Sequence, residues 1–195
     1  MTHGVTAFTE SQSIEEADQT TATYKTPYFW FTVWEAANEA VTVEYYGSSA
    51  FSTARVEDVT LMAINIKDLS ASGDFKYNID TAGGTLDTTM TSKASITWTP
   101  ENNNDTWWIM GYSRENVSST TNQLFYEAQL NIDGTTRTAM SVEGQDTNDT
   151  PVTGLGWVQT LSNASHTASI QLRETAANQD WYAAGIFALR LGAFR

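Results

Sequence analysis

Hydrophobic and polar residues alternate with a period of two along most of this chain. The clearest run covers residues 124–132, where Leu124, Tyr126, Ala128, Leu130 and Ile132 alternate with Phe125, Glu127, Gln129 and Asn131. Asp133-Gly134 follows directly, and a second run extends from residue 135 to residue 140. A type I′ turn needs positive φ at both central residues, so an Asp-Gly pair between alternating runs is a strong hairpin signal. The pattern therefore predicts a β-hairpin over residues 124–140.

The same alternation, with many Thr and aromatic residues, predicts further strands. They are expected at residues 29–34, 41–46, 59–66, 95–99, 107–112, 156–160, 167–173 and 182–191. Residues 83–84, 102–104, 118–119 and 146–151 are rich in turn-forming residues and predict loops. A capping box at residues 13–16 favours a helical turn or a solvated arm. Short strands with little helix indicate an all-β fold, an antiparallel β-sandwich or barrel.

The chain also contains an internal sequence similarity between residues 41–66 and 166–191, which we call the internal echo. Shifting the sequence by 125 positions brings residues 41–45 onto 166–170 and residues 61–66 onto 186–191, with the apolar positions in phase. We therefore expect an arm at residues 1–20, a partial sandwich copy at 21–73 and a main β-sandwich domain at 74–195. Half a sandwich leaves strand edges and an apolar face open, so the main domain or a neighbouring subunit must cover it. The echo predicts a homo-oligomer.

Composition excludes several functions. The 195 residues include 10 Lys and Arg against 23 Asp and Glu, which gives a net charge of −13. Because this charge repels phosphate backbones, we expect no nucleic-acid partner. The absence of Cys removes thiol catalysis and Cys-ligated zinc. The apolar runs are far shorter than the roughly 20 residues of a spanning helix, so we expect an intracellular product without a membrane role.

Candidate chemistry is sparse. A Ser-His-Asp site would need His166 with Ser165 or Ser169, yet nothing resembling Gly-x-Ser-x-Gly is present, and a packing role is expected for His166. The carboxylates of Asp146 and Asp149 could bind calcium, but their spacing does not match an EF-hand loop. We therefore expect a protein that is not an enzyme, with no catalytic residue, no cofactor and no metal.

The seven Trp residues are the most informative set. Trp98 is predicted to fill the core with Ile96, whereas the neighbours Trp107 and Trp108 must face opposite sides of their strand. Exposed aromatic side chains can fill a protein interface or stack on a sugar ring. The interface candidates are Trp30, Trp34, Phe51 and Trp107. The alternative glycan-stacking candidates are Trp107 and Trp108.

Several motifs resemble one family. They are Ile96-Thr97-Trp98, residues 107–111, Ser118-Ser119, residues 128–134, residues 165–167 and residues 186–191. Their order is similar to that of the jelly-roll-like β-sandwich domain of tailed-phage virion structural proteins, which include capsid decoration (cement) proteins, head fibres and tail-fibre modules. The partial first copy departs from a simple tandem arrangement.

The resemblance implies a structural virion protein that is assembled in the host cytoplasm. Its most specific form is a capsid decoration protein that stabilises a tailed-virus head through many contacts. The expected partners are the major capsid protein or other virion proteins and further copies of the chain, with a trimer favoured. The alternative that the resemblance leaves open is a carbohydrate-binding or receptor-binding module of a tail or head fibre.

Overall fold

A computed structural model describes residues 2–3, 6–7, 41–42, 69, 73–117, 124–144, 152–175 and 179–192. The described part of the chain consists mainly of β-strands. These are β1 (Thr2–His3), β2 (Thr6–Ala7), β3 (Val41–Thr42), β4 (Phe75–Asp80), β5 (Gly84–Thr85), β6 (Thr91–Trp98), β7 (Asp105–Val117), β8 (Leu124–Ile132), β9 (Thr135–Gly144), β10 (Val152–Leu161), β11 (His166–Glu174) and β12 (Gln179–Arg190).

Two antiparallel sheets pack face to face as a β-sandwich. Sheet I has the strand order β10-β7-β12-β4, with β5 also paired to β12, and sheet II has the order β6-β11-β8-β9. Alternate positions of both sheets point inward and meet in one apolar core. The predicted all-β, antiparallel sandwich is confirmed.

The chain divides into two compact units. One contains residues 1–13 and 32–65, and the other contains residues 14–31 and 66–195. The short strands β2-β1-β3 form a small sheet in the first unit, and sheets I and II lie in the second. The expected arm, partial copy and main domain, with limits at residues 20 and 73, stay predictions.

The core takes its residues from the inward positions of both sheets. Trp98 and Trp107 meet across it with ring centroids 5.5 Å apart. Trp98 and Ile96 are both buried there, as the sequence predicts. The other large core side chains are Leu86, Ile109, Tyr126, Leu130, Ile132, Leu155, Leu161, Ile170, Leu172, Trp181 and Ile186.

The predicted hairpin is confirmed. Strands β8 and β9 are joined by Asp133 and Gly134, whose φ angles are 52° and 76°. Asp is one of the few residues with a side chain that tolerates this left-handed region, and Gly adopts it freely. The turn therefore sets the register, with Ile132 opposite Thr135.

The other predicted strands within the described residues are also present. The runs at 95–99, 107–112, 156–160, 167–173 and 182–191 fall on β6, β7, β10, β11 and β12, and Val41–Thr42 opens the run at 41–46. The short strands β1, β2 and β5 were not predicted, and Gly84, expected in a loop, opens β5. Strand β4 was also missed, although Phe75, Tyr77 and Ile79 alternate with Lys76, Asn78 and Asp80.

Other sequence predictions fall outside the described residues. They are the strands at 29–34 and 59–66, the helical turn near residue 13 and the loops at 118–119 and 146–151. Most of the first copy of the internal echo also lies there, so the echo stays a hypothesis. Among the described residues, no helix has the length and apolar character needed to cross a membrane.

Candidate interaction surface

The outer face of sheet II is polar. Thr97 and Thr167 share a hydrogen bond of 3.0 Å between their hydroxyls, and Gln129 Nε2 donates to Gln171 Oε1 at 2.6 Å. Arg173 Nε donates to Glu127 Oε2 at 2.7 Å, an ion pair that water screens because both side chains are substantially exposed. Cross-strand pairs of this kind suit a face that stays in contact with water.

The outer face of sheet I has the opposite character. Residues opposite one another in antiparallel strands point to the same side, so the register defines three rows across β10, β7, β12 and β4. None of these twelve residues is charged. The rows are Val158–Trp108–Leu189–Phe75, Gly156–Met110–Phe187–Tyr77 and Gly154–Tyr112–Gly185–Ile79. We call these three rows the aromatic face.

The aromatic side chains of this face contact one another. Trp108 meets Phe187 edge-on, with ring centroids 5.2 Å apart and an interplanar angle of 90°. Phe75 lies 5.9 Å from Phe187 and 5.6 Å from Tyr77. Such tilted and edge-to-face pairs are the favoured aromatic geometries, so the rings form one contiguous layer across three strands.

A glycine makes room for the largest buried ring of the aromatic face. Tyr112 lies over Gly185, and a Cβ atom at residue 185 would overlap the tyrosine ring. Tyr112 is fully buried. The close approach of ring and backbone therefore requires glycine at this position.

Only part of the aromatic face is open to solvent, since Phe75, Phe187 and Leu189 are at most 7% exposed. Tyr77 is 45% exposed on β4 and Val158 is 54% exposed on β10, at the two edges of the sheet. Arg114 lies beyond the third row, with its guanidinium 5.1 Å from the centre of the Tyr182 ring. Contiguous apolar surface with polar residues at its rim is typical of interaction sites.

The structure separates the two neighbouring tryptophans as expected, and it corrects the role expected of Trp107. Trp107 is only 1% exposed and packs against Trp98 in the core, so it offers no surface to a partner or a sugar. Trp108 occupies the aromatic face. Trp30, Trp34 and Phe51 lie outside the described residues.

Sequence reasoning missed Tyr77 and Val158 as surface candidates, and it missed Phe187, which is buried beneath the same face. A usable signal existed in β7 and β12, because residues 107–112 and 183–189 are apolar at successive positions of both parities. A strand that is apolar on both sides is covered on both sides. Only the strand order places the outward residues of β7 and β12 next to those of β4 and β10.

His166 lies between Asp133 and Ser162, which are the three residue types of a catalytic triad. Its Nδ1 lies 2.6 Å from Asp133 Oδ2, and its Nε2 lies 3.4 Å from Ser162 Oγ. Nε2 is nearer still, at 3.1 Å, to the Ser162 carbonyl oxygen. At 3.4 Å the Ser162 hydroxyl is farther from Nε2 than in a well-formed hydrogen bond. Neither Ser165 nor Ser169 takes part.

Asp133 anchors the same group. Burial alone would raise the pKa of Asp133, but hydrogen bonds from His166 and from the Thr167 amide outweigh it and lower the pKa. The amide bond, from Thr167 N to Asp133 Oδ1, measures 2.8 Å. The group therefore fastens the β8–β9 turn to the start of β11.

One end of the core is polar. Glu115 is buried there with Ser113, Tyr126, Thr153 and Gln179. Burial raises the pKa of Glu115 to about 8, against the opposing effect of the Ser113 and Tyr126 hydroxyls. Burial and the neighbouring Glu115 raise the pKa of Tyr126, whose hydroxyl lies 2.5 Å from that of Thr153. Glu115 therefore keeps its proton at neutral pH.

No metal centre is evident in the described part of the chain. Within it, no group of three or more His, Asp or Glu residues is arranged to hold an ion. Asp146 and Asp149, the calcium candidates of the sequence, lie outside the described residues.

Fold and surface together define an antiparallel β-sandwich with one polar and one aromatic outer face. No protein-family model and no curated protein matches this chain. Solved structures with partial similarity include a chain from the infectious bursal disease virus Gx strain, with a TM-score of 0.36 and 16% identity. That match covers 62% of this chain and 34% of the viral one.

Two other similar structures differ in kind from the viral one. Dimeric latent PorU from Porphyromonas gingivalis has a TM-score of 0.32 and 6% identity over 60% of this chain and 13% of that one. A family 16 carbohydrate-binding module has a TM-score of 0.25 and 16% identity over 50% of this chain and 68% of that one. Similarities this low do not distinguish one function from another.

Proposed function

We propose that this chain is a non-enzymatic structural protein of a virus particle, and specifically a capsid decoration protein of a tailed-virus head. The observation that carries the proposal is the aromatic face. Its twelve positions are uncharged on a chain whose net charge is −13, and Tyr77 and Val158 expose apolar surface at its two edges. Burying apolar surface of this kind against another protein contributes roughly 25 cal/mol per Å² before the costs of association.

The two outer faces have different tasks in this proposal. The aromatic face contacts the major capsid protein or another virion protein, while the polar face of sheet II and the acidic residues stay hydrated. Copies of the chain occupy many equivalent positions on the head. Multivalent contacts strengthen one another, because each one formed makes the next effectively intramolecular.

The proposal is tested on particles from which the protein has been removed. Purified chain is added back, and binding is measured by co-sedimentation together with the temperature at which the particles burst. We expect wild-type protein to bind and to raise that temperature. Tyr77→Asp places a charge on the exposed part of the aromatic face and should weaken binding at least tenfold. Thr97→Asp adds the same charge to the polar face and should leave binding within twofold of wild type.

Two outcomes would overturn the proposal. One is a Tyr77→Asp protein that binds and protects particles as well as wild type does. The other is a burst temperature that does not change when wild-type protein is restored. Because Tyr77 is already 45% exposed, the charge does not have to enter the core, and circular dichroism checks that both variants are folded.

A second function, a carbohydrate-binding or receptor-binding module, rests on a different residue. Trp157 is 39% exposed at the edge of sheet I, and an accessible indole is a suitable platform for a sugar ring. Glycan-array binding that disappears in Trp157→Ala and persists in Trp108→Ala would favour this function over capsid decoration. An array without signal would remove it.

A further inference from the structure

The two sheets differ in how their edge strands are protected. The edges of sheet I are β10 and β4, and the edges of sheet II are β6 and β9. Exposed edges invite pairing with other strands, and charged side chains are a common protection. Three of the four edges carry such charges, namely Lys76 and Asp80 in β4, Lys93 in β6, and Arg137 and Glu143 in β9.

Strand β10 has no such protection. Its ten residues, Val152–Leu161, include no charged residue and no proline. Among the described strands it pairs only with β7, so the hydrogen-bonding groups on its other side have no strand partner there. Trp157 and Val158 project to opposite sides of the sheet, and both are exposed. Within the described part of the chain, β10 thus offers both backbone groups and apolar side chains to an incoming strand.

We propose that β10 pairs antiparallel with β10 of a second copy of this chain around a two-fold axis. In the register centred on Trp157, Val158 of each copy lies opposite Gly156 of the other. The exposed valine then sits beside a residue that has no side chain. Odd-numbered residues face the core in both copies, so the two sandwiches keep their cores on the same side and sheet I continues across the axis.

The sequence of β10 favours a second copy over a foreign strand. A two-fold axis requires one segment to fit itself, and the placement of Gly156 and Val158 on either side of Trp157 provides that fit. Charge also favours an uncharged contact, since two chains of net charge −13 repel each other. Salt screens this repulsion, so dimerisation should strengthen as ionic strength rises. The contact does not depend on the proposed capsid role.

Cysteine trapping tests the register, because the natural chain contains no Cys. The full chain carrying Gly156→Cys and Val158→Cys places a thiol of one copy opposite a thiol of the other. Directly opposed residues in an antiparallel pair are close enough for a disulfide. Mild oxidation should convert most of this variant to a covalent dimer on a non-reducing gel. Val158→Cys alone faces Gly156 and should give at least fivefold less.

A second variant tests the contact without cysteine. Val158→Lys places a charge at the centre of the pair and should shift the protein to monomer by sedimentation, whereas Ser95→Lys on exposed β6 should not. Circular dichroism checks the folding of both. A wild-type chain that stays monomeric at raised salt, equal trapping of the single and double cysteine variants, or a dimeric Val158→Lys protein would each overturn the proposal.

The test is separable from that of the capsid role. Tyr77 lies on β4, at the opposite edge of sheet I from β10. Failure of β10 pairing with normal Tyr77-dependent particle binding would overturn this inference and leave the capsid role intact. Normal β10 pairing with particle binding that does not depend on Tyr77 would leave the β10 contact intact and overturn the capsid role.

Discussion

The outer faces of sheets I and II are built on one core and yet differ in chemistry. On sheet II, most outward residues are polar, and cross-strand pairs such as Gln129–Gln171 and Thr97–Thr167 form hydrogen bonds. On sheet I, the corresponding rows hold Trp108, Phe187 and their apolar neighbours. A stable sandwich requires only inward apolar residues, so the second apolar layer on sheet I needs an explanation beyond the core. Tyr112, Phe187 and Leu189 of this layer are already buried within the chain, and the proposed capsid partner would cover the parts that stay exposed, at Tyr77 and Val158.

The largest expected effect concerns Glu115, which lies in the core that both faces share. Glu115 has a folded-state pKa of about 8, above its ordinary value of 4.5. The unfolded chain therefore releases the proton first, and the free energy of unfolding falls as pH rises from 4.5 to 8. Above that range the loss is complete. The shift corresponds to a loss on the order of 5 kcal/mol.

Urea unfolding as a function of pH measures this loss, and Glu115→Gln is the matched variant. The amide cannot ionise, so the contribution of residue 115 to the pH dependence should disappear. A wild-type curve that is flat or rises across this interval, or a variant with the same slope as wild type, would show that Glu115 is not the group responsible.

A smaller effect tests the packing of the aromatic face. Gly185→Ala forces a methyl group against the Tyr112 ring and should lower the free energy of unfolding by about 3 kcal/mol. Gly156→Ala is the matched control on the same face, because a Cβ there meets Met110 at an ordinary 3.5 Å. It should change stability by less than about 1 kcal/mol. Thermal unfolding of both variants checks the difference, and equal losses would contradict the tight fit at Gly185.

The smallest effect is expected on the polar face. Arg173→Ala removes the ion pair with Glu127, in which both side chains are substantially exposed. Exposed pairs contribute little, so the change should stay below about 1 kcal/mol and shrink further in high salt. Particle binding should remain as in wild type. A loss of binding here would mean that the polar face also contacts a partner, and the contrast between the two faces would fail.

Much of the sandwich could be predicted because its signals are local. Asp133-Gly134 specifies a turn from its own backbone preferences, and alternation over residues 124–132 separates the two sides of β8. β4 shows the same alternation, so it was predictable and was missed. The site was harder to predict. Phe75, Trp108, Val158 and Phe187 lie far apart in sequence, and only the order β10-β7-β12-β4 makes them neighbours.

The neighbouring tryptophans show where local reasoning ends. A strand sends Trp107 and Trp108 to opposite sides whatever surrounds them, because the side-chain period is two. Which one enters the core depends on which side of β7 meets sheet II, and that is a property of the assembled sandwich. Trp107 packs inside and Trp108 outside, so the interface and stacking roles expected of Trp107 do not fit.

By itself, the sequence determined the strands, the β8–β9 turn, the acidic surface and the absence of thiol chemistry, since these follow from residue identity and short spacings. The tertiary structure alone decided the aromatic face, the side of β10 that has no strand partner among the described residues, and the retained proton on Glu115. Each of these depends on which strands lie side by side and on how much water reaches a group. Residues distant in the chain control both.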